Sequence, residues 1–346
     1  MKYVGMDVHR SYCQVAVLET ETGVLEELRI ESTPEGLRAA VLGIGLESRV
    51  ALEASSHWGW VVDELQGMGL DVVLSHPTKT KAIGSARIKT DKIDAKMLAH
   101  LLAADLLPEA HIASQEVREL RSYLRYRWVL VQMRTMAKNR VHAILAGYGL
   151  KSPARDLFCL KGREWLSRQV LGELHREQVN GYLEVIDLLS GLTKRVDERI
   201  RPMAEQHREA KLLMSVSGIS YYSALLIVVE IDGVERFYSS KHLTSYAGLC
   251  PSTYSSGGRE RHGRITKCGS SFLRWILVEA AQQSVYPRSP LHGFYLKIAR
   301  KKGHSTAKVA VARKLLESIY QMLKRGMEFD PRVWMEEKRG IVSADA

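Results

Sequence analysis

YVGMDVHRSYCQVAVLETETGVLEELRI, residues 3–30, reads as three short strands joined by tight turns. Tyr3–Asp7 is a short apolar run that closes on an acid, and Tyr12–Leu18 alternates between apolar and polar positions. Val24–Ile30 forms the third strand, with Glu21-Thr22-Gly23 as the turn before it. Alternation of this kind places successive side chains on opposite faces of a sheet. Working outward, PEGLRAAVLGIG (34–45) is a helix opened by Pro34, near a position where the missing N–H is not needed. Arg49–Glu53 is a fourth strand, again ending in an acid, followed by a helix from Trp58 to Met68 and a fifth strand, Asp71–Ser75. The run DKIDAKMLAHLLAADLL, beginning at Asp91, repeats apolar residues at helical spacing.

A three-strand meander, then β-α-β and a closing helix, is the element order of a ribonuclease H-like domain, expected over residues 1–110. Residues 114–146 continue as one long helical pattern carrying Arg118, Arg121, Arg125, Arg134, Lys138 and Arg140, with Tyr123, Tyr126 and Trp128 interleaved. Pro153 ends that region. Val185, Leu189, Leu192 and Val196 then recur at four- and three-residue steps, a seam of about two heptads. Pro202 is expected to end or kink this helix. Residues 111–208 therefore read as a basic helical, coiled-coil connector. Residues 209–346 read as a mostly helical domain with a Gly/Ser-rich turn at 255–258 and a final apolar-basic helix, STAKVAVARKLLESIYQMLKR. The expected class is α/β followed by α.

Charge divides the chain more sharply than its formal total of +11 suggests. Residues 1–107 carry a net −4 and the remainder a net +15. The basic part is suited to neutralising phosphates and releasing their counterions. No run approaches the roughly 18–20 apolar residues that span a bilayer, so no membrane association is expected. MKYVGMDV has neither an apolar h-region nor a small-residue cleavage site, so a cytoplasmic location is expected. Cys13, Cys159, Cys250 and Cys268 form no CxxC pair, which argues against a zinc knuckle and fits a reducing compartment.

The acidic part needs a reason of its own. Asp7 and Glu53 end the first and fourth strands, and Asp91 and Asp94 lie three apart on one helix face. Two carboxylates about 4 Å apart repel by roughly 4 kcal/mol at an effective dielectric near 20. Divalent cations remove that repulsion, and Mg²⁺ takes carboxylate oxygens while leaving positions open for phosphate. Two such ions clamp the attacking and leaving oxygens of an in-line displacement at phosphorus. Taken singly, each acid reads as an ordinary strand end or a favourable first-turn acid; the case lies in their order on these elements.

YVGMDVH, ALEAS (51–55) and KTDKIDAKMLA (89–99) resemble the DEDD transposases of bacterial insertion sequences, the insertion sequence 110 group, which also holds pilin-gene invertases. RYRWVLVQMRTMAKNRVHAIL (125–145) is similar to that family's basic helix. LLMSVSGISYYSALLIVVEI (212–231), TSYAGLCPSTYSSGGRERHGRITKCGSSFLRWIL (244–277) and KVAVARKLLESIY (308–320) resemble its C-terminal transposase domain. The resemblance implies a RuvC-like nuclease domain whose metal-binding tetrad is Asp7, Glu53, Asp91 and Asp94, holding two Mg²⁺ ions that Mn²⁺ can replace. It further implies a catalytic serine at Ser256, with the adjacent Ser255 left open. Its implied partners are donor and target DNA, a structured noncoding guide RNA, and further copies of the chain as a dimer or tetramer, with serine and tetrad meeting across protomers. Phosphate contacts are expected from the six cations of the long helix and from Arg259, Arg261, Arg264 and Lys267. SVSGIS (215–220) resembles a helix-hairpin-helix turn, with Ser220 where the second glycine usually stands.

The implied activity is an RNA-guided transposase that cuts and rejoins DNA through a covalent serine intermediate. An invertase of the same family needs the same residues. A junction resolvase needs the tetrad but neither Ser256 nor the long C-terminal domain. A sugar kinase or actin-like ATPase needs a duplicated domain and a second phosphate loop, and neither is found in the sequence. A non-catalytic RNA-binding protein leaves the tetrad unexplained.

Overall fold

The computed structural model describes residues 1–54, 56–83, 90–256 and 259–330, with the side chains of 254–260 and 262 left out. The chain divides into two compact units, Met1–Arg118 and Glu119–Ala346.

The first unit is a mixed α/β layer structure. Its strands are β1 (Lys2–Val8), β2 (Tyr12–Glu19), β3 (Leu25–Glu31), β4 (Ser48–Glu53), β5 (Asp71–Ser75) and the short β6 (Glu109–Ala110). They form one sheet in the order β3-β2-β1-β4-β5-β6. β1, β4 and β5 run parallel, while β2, β3 and β6 are antiparallel to their neighbours. Helices α1 (Pro34–Ile44), α2 (Trp58–Gly67), α3 (Pro77–Ile83) and α4 (Asp91–Ala103) complete the unit. Thr33 caps α1 by accepting from the Gly36 N–H, and Pro34 takes the first turn, as the sequence predicts.

Alternation along β1 sends Val4, Met6 and Val8 into a core with Leu37 and Val41 of α1 and Val61, Val62 and Leu65 of α2. The opposite face receives α4, where Ala95 and Ala99 pack on Ala16. Leu98 and Leu102 pack on Ala51 and Val73. Gly5 is what allows α4 to lie so close. A Cβ at that position would stand 2.0 Å from the Ala95 carbonyl oxygen and 2.6 Å from the Ala99 nitrogen. Only a residue without a side chain fits such a backbone contact.

The second unit is mostly helical, with α5 (Gln115–Gly147, which begins in the first unit), α6 (Leu160–Ser167), α7 (Glu173–Gln206), α8 (Arg208–Leu213) and α9 (Tyr221–Ile231). After these come α10 (Ser240–Tyr246), the hairpin β7 (Pro251–Ser256) and β8 (Arg259–Ile265), α11 (Ser271–Ala280), α12 (His292–Lys302) and α13 (His304–Arg325). Of the two outcomes expected of Pro202, it does not end α7, which continues to Gln206. The buried row of α7 is Val179, Ile186, Leu189, Thr193, Val196, Ile200 and Ala204, so Ile186 and Thr193 replace Val185 and Leu192 in the seam. Thr193 is admitted because its hydroxyl donates to the Leu189 carbonyl at 2.7 Å. The β7–β8 hairpin also went unforeseen: PSTYSS and RERHGRI lack the apolar alternation that marks a strand.

Candidate metal centre

Strand register sets Asp7 and Glu53 at the ends of neighbouring strands, although Glu53 is not in the group of ligand atoms that gathers around Asp7. β1 and β4 pair in parallel as far as Met6 with Leu52, so the next positions along are Asp7 and Glu53. Alternation puts both on the face shared by Gly5 and Ala51, which is the face α4 covers. On α4, Thr90 supplies the cap by accepting from the Ile93 N–H, and Asp91 and Asp94 stand in the first turn. The close approach at Gly5, two residues before Asp7, meets α4 at Ala95, directly after Asp94. The same contact that packs the helix therefore brings its acids to the end of β1.

Atoms of Asp7, His9 and Asp91 that can each donate to a cation all lie within 4.8 Å of one another, the group of this kind found among the described residues. The His9 ring donates from Nε2 to Asp7 Oδ2 at 3.1 Å, and the same nitrogen stands 3.2 Å from Asp91 Oδ2. Tyr12 donates its hydroxyl to Asp91 Oδ2 at 2.7 Å. Burial pushes the Asp7 carboxyl above its ordinary range; His9 opposes that shift, and Asp91 and Asp94 add to it by repulsion. Asp91 is held low, first by the Tyr12 hydroxyl, against some desolvation, and then by His9. Among the described residues, no lysine or arginine is a leading contributor to either shift.

Carboxylate oxygens with an imidazole nitrogen beside them are a donor set a divalent cation takes, so the residues present fit such an ion. Sequence reasoning named the four acids and passed over His9, although Asp-x-His at the end of a strand puts both side chains on one face.

The basic residues expected to meet nucleic acid divide into two groups. Arg118 pairs with Asp63. Arg121 donates to the Val229 carbonyl at 2.8 Å. Arg125 donates twice to Glu230 Oε1, at 2.9 and 2.7 Å. Arg134 reaches Ser190, and the Lys138 ammonium lies 4.7 Å from the Phe158 ring centre. Arg140, Arg261, Arg264 and Lys267 are exposed. The side chains of Ser255, Ser256 and Arg259 lie outside the described residues, as do Gly257 and Gly258 of the expected Gly/Ser turn. In SVSGIS, Gly218 has φ +96, and Ser220 caps α9 by accepting from the Ser223 N–H. A cap explains the serine where a second glycine was expected.

The base of the hairpin that carries Ser256 is tightly built. A Cβ on Gly248 (φ +66) would come 2.2 Å from the Cys268 carbonyl oxygen, and one on Gly269 (φ +73) 1.8 Å from that of Tyr246. Beside it, Glu230 is 1% exposed and receives the Ser270 hydroxyl at 2.8 Å in addition to Arg125.

Residues 4–150 match the model of a transposase family, the DEDD transposases of the IS110 type. Residues 210–296 match the transposase IS116/IS110/IS902 family. The chain belongs to the IS110 family of DEDD transposases. The transposase for insertion sequence element IS1111A of Coxiella burnetii is 24% identical over 340 residues, covering 94% of this chain and 90% of that protein. The transposase for insertion sequence element IS1533 of Leptospira borgpetersenii is 25% identical, covering 90% and 92%. A pilin gene-inverting protein of Moraxella bovis is 28% identical over 225 residues, 58% of this chain and 70% of that protein. Among the described residues, no helix of this IS110-family chain is long and apolar enough to cross a membrane.

Proposed function

We propose that this chain is the recombinase of a mobile insertion sequence, cutting and rejoining DNA at a centre formed by Asp7, Glu53, Asp91 and Asp94. The observation that carries the reading is the convergence of β1 and α4 on one group of carboxylates in a DEDD-family chain. The strand order β3-β2-β1-β4-β5 with a helix over β1 supports a ribonuclease H-like, RuvC-like assignment for residues 1–110. Residues 111–208 serve as a connector and 209–346 as a transposase domain. Asp7, Asp91, Asp94 and Glu53 would hold Mg²⁺, with two ions the expected number and Mn²⁺ a substitute. When bound, the ions supply positive charge that stabilises the extra negative charge of a pentavalent phosphate.

Ser256, or Ser255 beside it, acts as nucleophile. Its oxygen forms a bond to phosphorus as a bridging DNA oxygen leaves, and the phosphoserine ester keeps the energy needed for resealing. Arg140, Arg261, Arg264 and Lys267, all exposed, are the leading phosphate contacts. Arg118, Arg121 and Arg125 serve first as internal ion-pair and carbonyl partners. The remaining partners of the reading are donor and target DNA, a structured guide RNA and further copies of the chain in the cytoplasm.

Two substitutions test it. Asp7→Asn removes strand cleavage by about three orders of magnitude or more, a loss of about 4 kcal/mol in transition-state stabilisation, while DNA binding measured by filter retention survives. Persistent cleavage discards the acidic centre. Ser256→Ala abolishes the covalent protein–DNA adduct seen on denaturing gels; an undiminished adduct moves the role to Ser255 or removes it. The similarity to a pilin gene-inverting protein favours an invertase as the second reading. Sequencing of joined products separates the two: inversion between fixed sites in one, insertion at new sites in the other.

A further inference from the structure

We infer that His9 is itself a ligand of the divalent ion, through Nε2, so that the centre is a mixed oxygen–nitrogen site. The inference rests on the metal-site reading above and deepens it. Nε2 lies between two acids, 3.1 Å from Asp7 Oδ2 and 3.2 Å from Asp91 Oδ2. All three ligand atoms lie within 4.8 Å of one another, so a cation that meets both negative charges also lies within reach of Nε2. With an ion there, the ring proton resides on Nδ1 and the Nε2 lone pair faces the metal.

The ring is held for this role by more than its contact with acids. His9 sits in the turn between β1 and β2, and its backbone N–H donates to the Tyr12 carbonyl at 2.9 Å. The His9 and Tyr12 rings pack with centroids 4.8 Å apart, tilted by 36°. Tyr12 is fixed in turn by its bond to Asp91 and by the Arg29 guanidinium, 3.6 Å from its ring centre. A neighbour that orients a ligand and is itself oriented is the usual outer layer of a metal site. The His9 side chain remains 40% exposed, so an ion reaches it from solvent without any movement of the core.

A nitrogen donor changes which ions the site prefers. Imidazole adds more to the affinity for Mn²⁺ and later transition ions than to that for Mg²⁺, which favours oxygen. The test uses the full-length protein with Mn²⁺ alone. Uptake is read from loss of the free-ion signal in continuous-wave electron paramagnetic resonance, and the ligand from ¹⁴N modulation in the pulsed experiment. The wild-type protein is expected to show nitrogen coupling. His9→Ala is expected to lose it and to bind Mn²⁺ on the order of 10- to 100-fold more weakly, with a smaller loss for Mg²⁺ by competition. Mn²⁺ uptake without nitrogen coupling in the wild type overturns the inference and leaves the acidic metal site standing. Coupling that persists in His9→Ala assigns the nitrogen elsewhere and also overturns it. No uptake at all overturns both this inference and the reading beneath it. The wild-type arm decides even where the variant folds poorly.

Discussion

Asp7 and Glu230 are both acids drawn into the interior of their own unit, and the protein treats them in opposite ways. Glu230 is the more deeply buried, at 1% exposure, yet one carboxylate oxygen takes two N–H groups of Arg125 and the other takes the Ser270 hydroxyl. Its backbone carbonyl also accepts from the Tyr246 hydroxyl, so α5, α9, α10 and α11 are tied at one residue. Asp7 is less buried but has more acids than bases around it: Asp91 and Asp94 raise its pKa and His9 alone among them opposes. Burial of a carboxylate therefore says little about function. What matters is how fully the charge is answered inside the protein: Glu230 has a guanidinium and a hydroxyl, whereas Asp7 has the His9 ring, which also faces Asp91.

The sharpest way to break this comparison is to remove Glu230. Taking away one partner of a buried pair leaves the other charge uncompensated, which costs about 3–5 kcal/mol. Glu230→Ala should therefore lower the melting temperature of the full chain by on the order of 10 °C in scanning calorimetry. Glu230→Gln, which keeps the shape and the acceptor oxygen, should lower it by less. An unchanged melting temperature in Glu230→Ala would show that the Arg125 pair is a surface pair in effect, and the contrast with Asp7 would lose its meaning.

Gly5 offers a second, smaller perturbation that acts on geometry rather than charge. The added methyl of Gly5→Ala meets the backbone of α4 at 2.0 Å, and a helix backbone yields only by moving as a body. Overpacking of this kind costs typically about 1–3 kcal/mol. More telling, it should lift Asp91 and Asp94 from Asp7 and weaken Mn²⁺ binding in calorimetric titration, although no acid has been touched. Binding at wild-type affinity would mean that α4 does not need its close contact with β1 to deliver its acids.

Much of this was legible in the sequence, and the failures have identifiable physical causes. Strand alternation in residues 3–30 placed β1, β2 and β3 to within one residue, because one buried face imposes a strict period, whereas α3 and the two-residue β6 carried no such signal. His9 was passed over because a single histidine after a strand carries no signal until its neighbours are placed. Glu230 stands out in SALLIVVEI as a lone acid among apolar residues. Its principal partner, Arg125, lies 105 positions away, and no local pattern reveals so distant a pairing. The seam of α7 differs from the sequence reading at two positions: Ile186 is buried in place of its equally apolar neighbour Val185, and Thr193 in place of Leu192. Thr193 satisfies its hydroxyl within the helix and so passes as apolar.

The gentlest perturbation is also the most discriminating, because it predicts a gain. Asp7 holds its proton more tightly in the folded chain than at its ordinary value of 3.8, chiefly through burial. Between that value and the raised one, the folded state binds more protons than the unfolded state, so stability falls as pH rises through this window. Above it the charged carboxylate is a standing cost to the fold. Asp7→Asn removes the charge and should raise the metal-free melting temperature at pH 7 by about 1–4 °C, even as it abolishes cleavage. The gain should shrink as pH drops toward 3.8, where the native carboxyl becomes as neutral as the amide. Millimolar Mg²⁺ should reverse the order, since an ion that binds only the folded wild type stabilises it by RT ln(1 + [L]/Kd) and does nothing for the amide. If Asp7→Asn melted lower than wild type in the absence of metal, its bond from His9 would outweigh its burial, and Asp7 would belong with Glu230 as an acid answered from within.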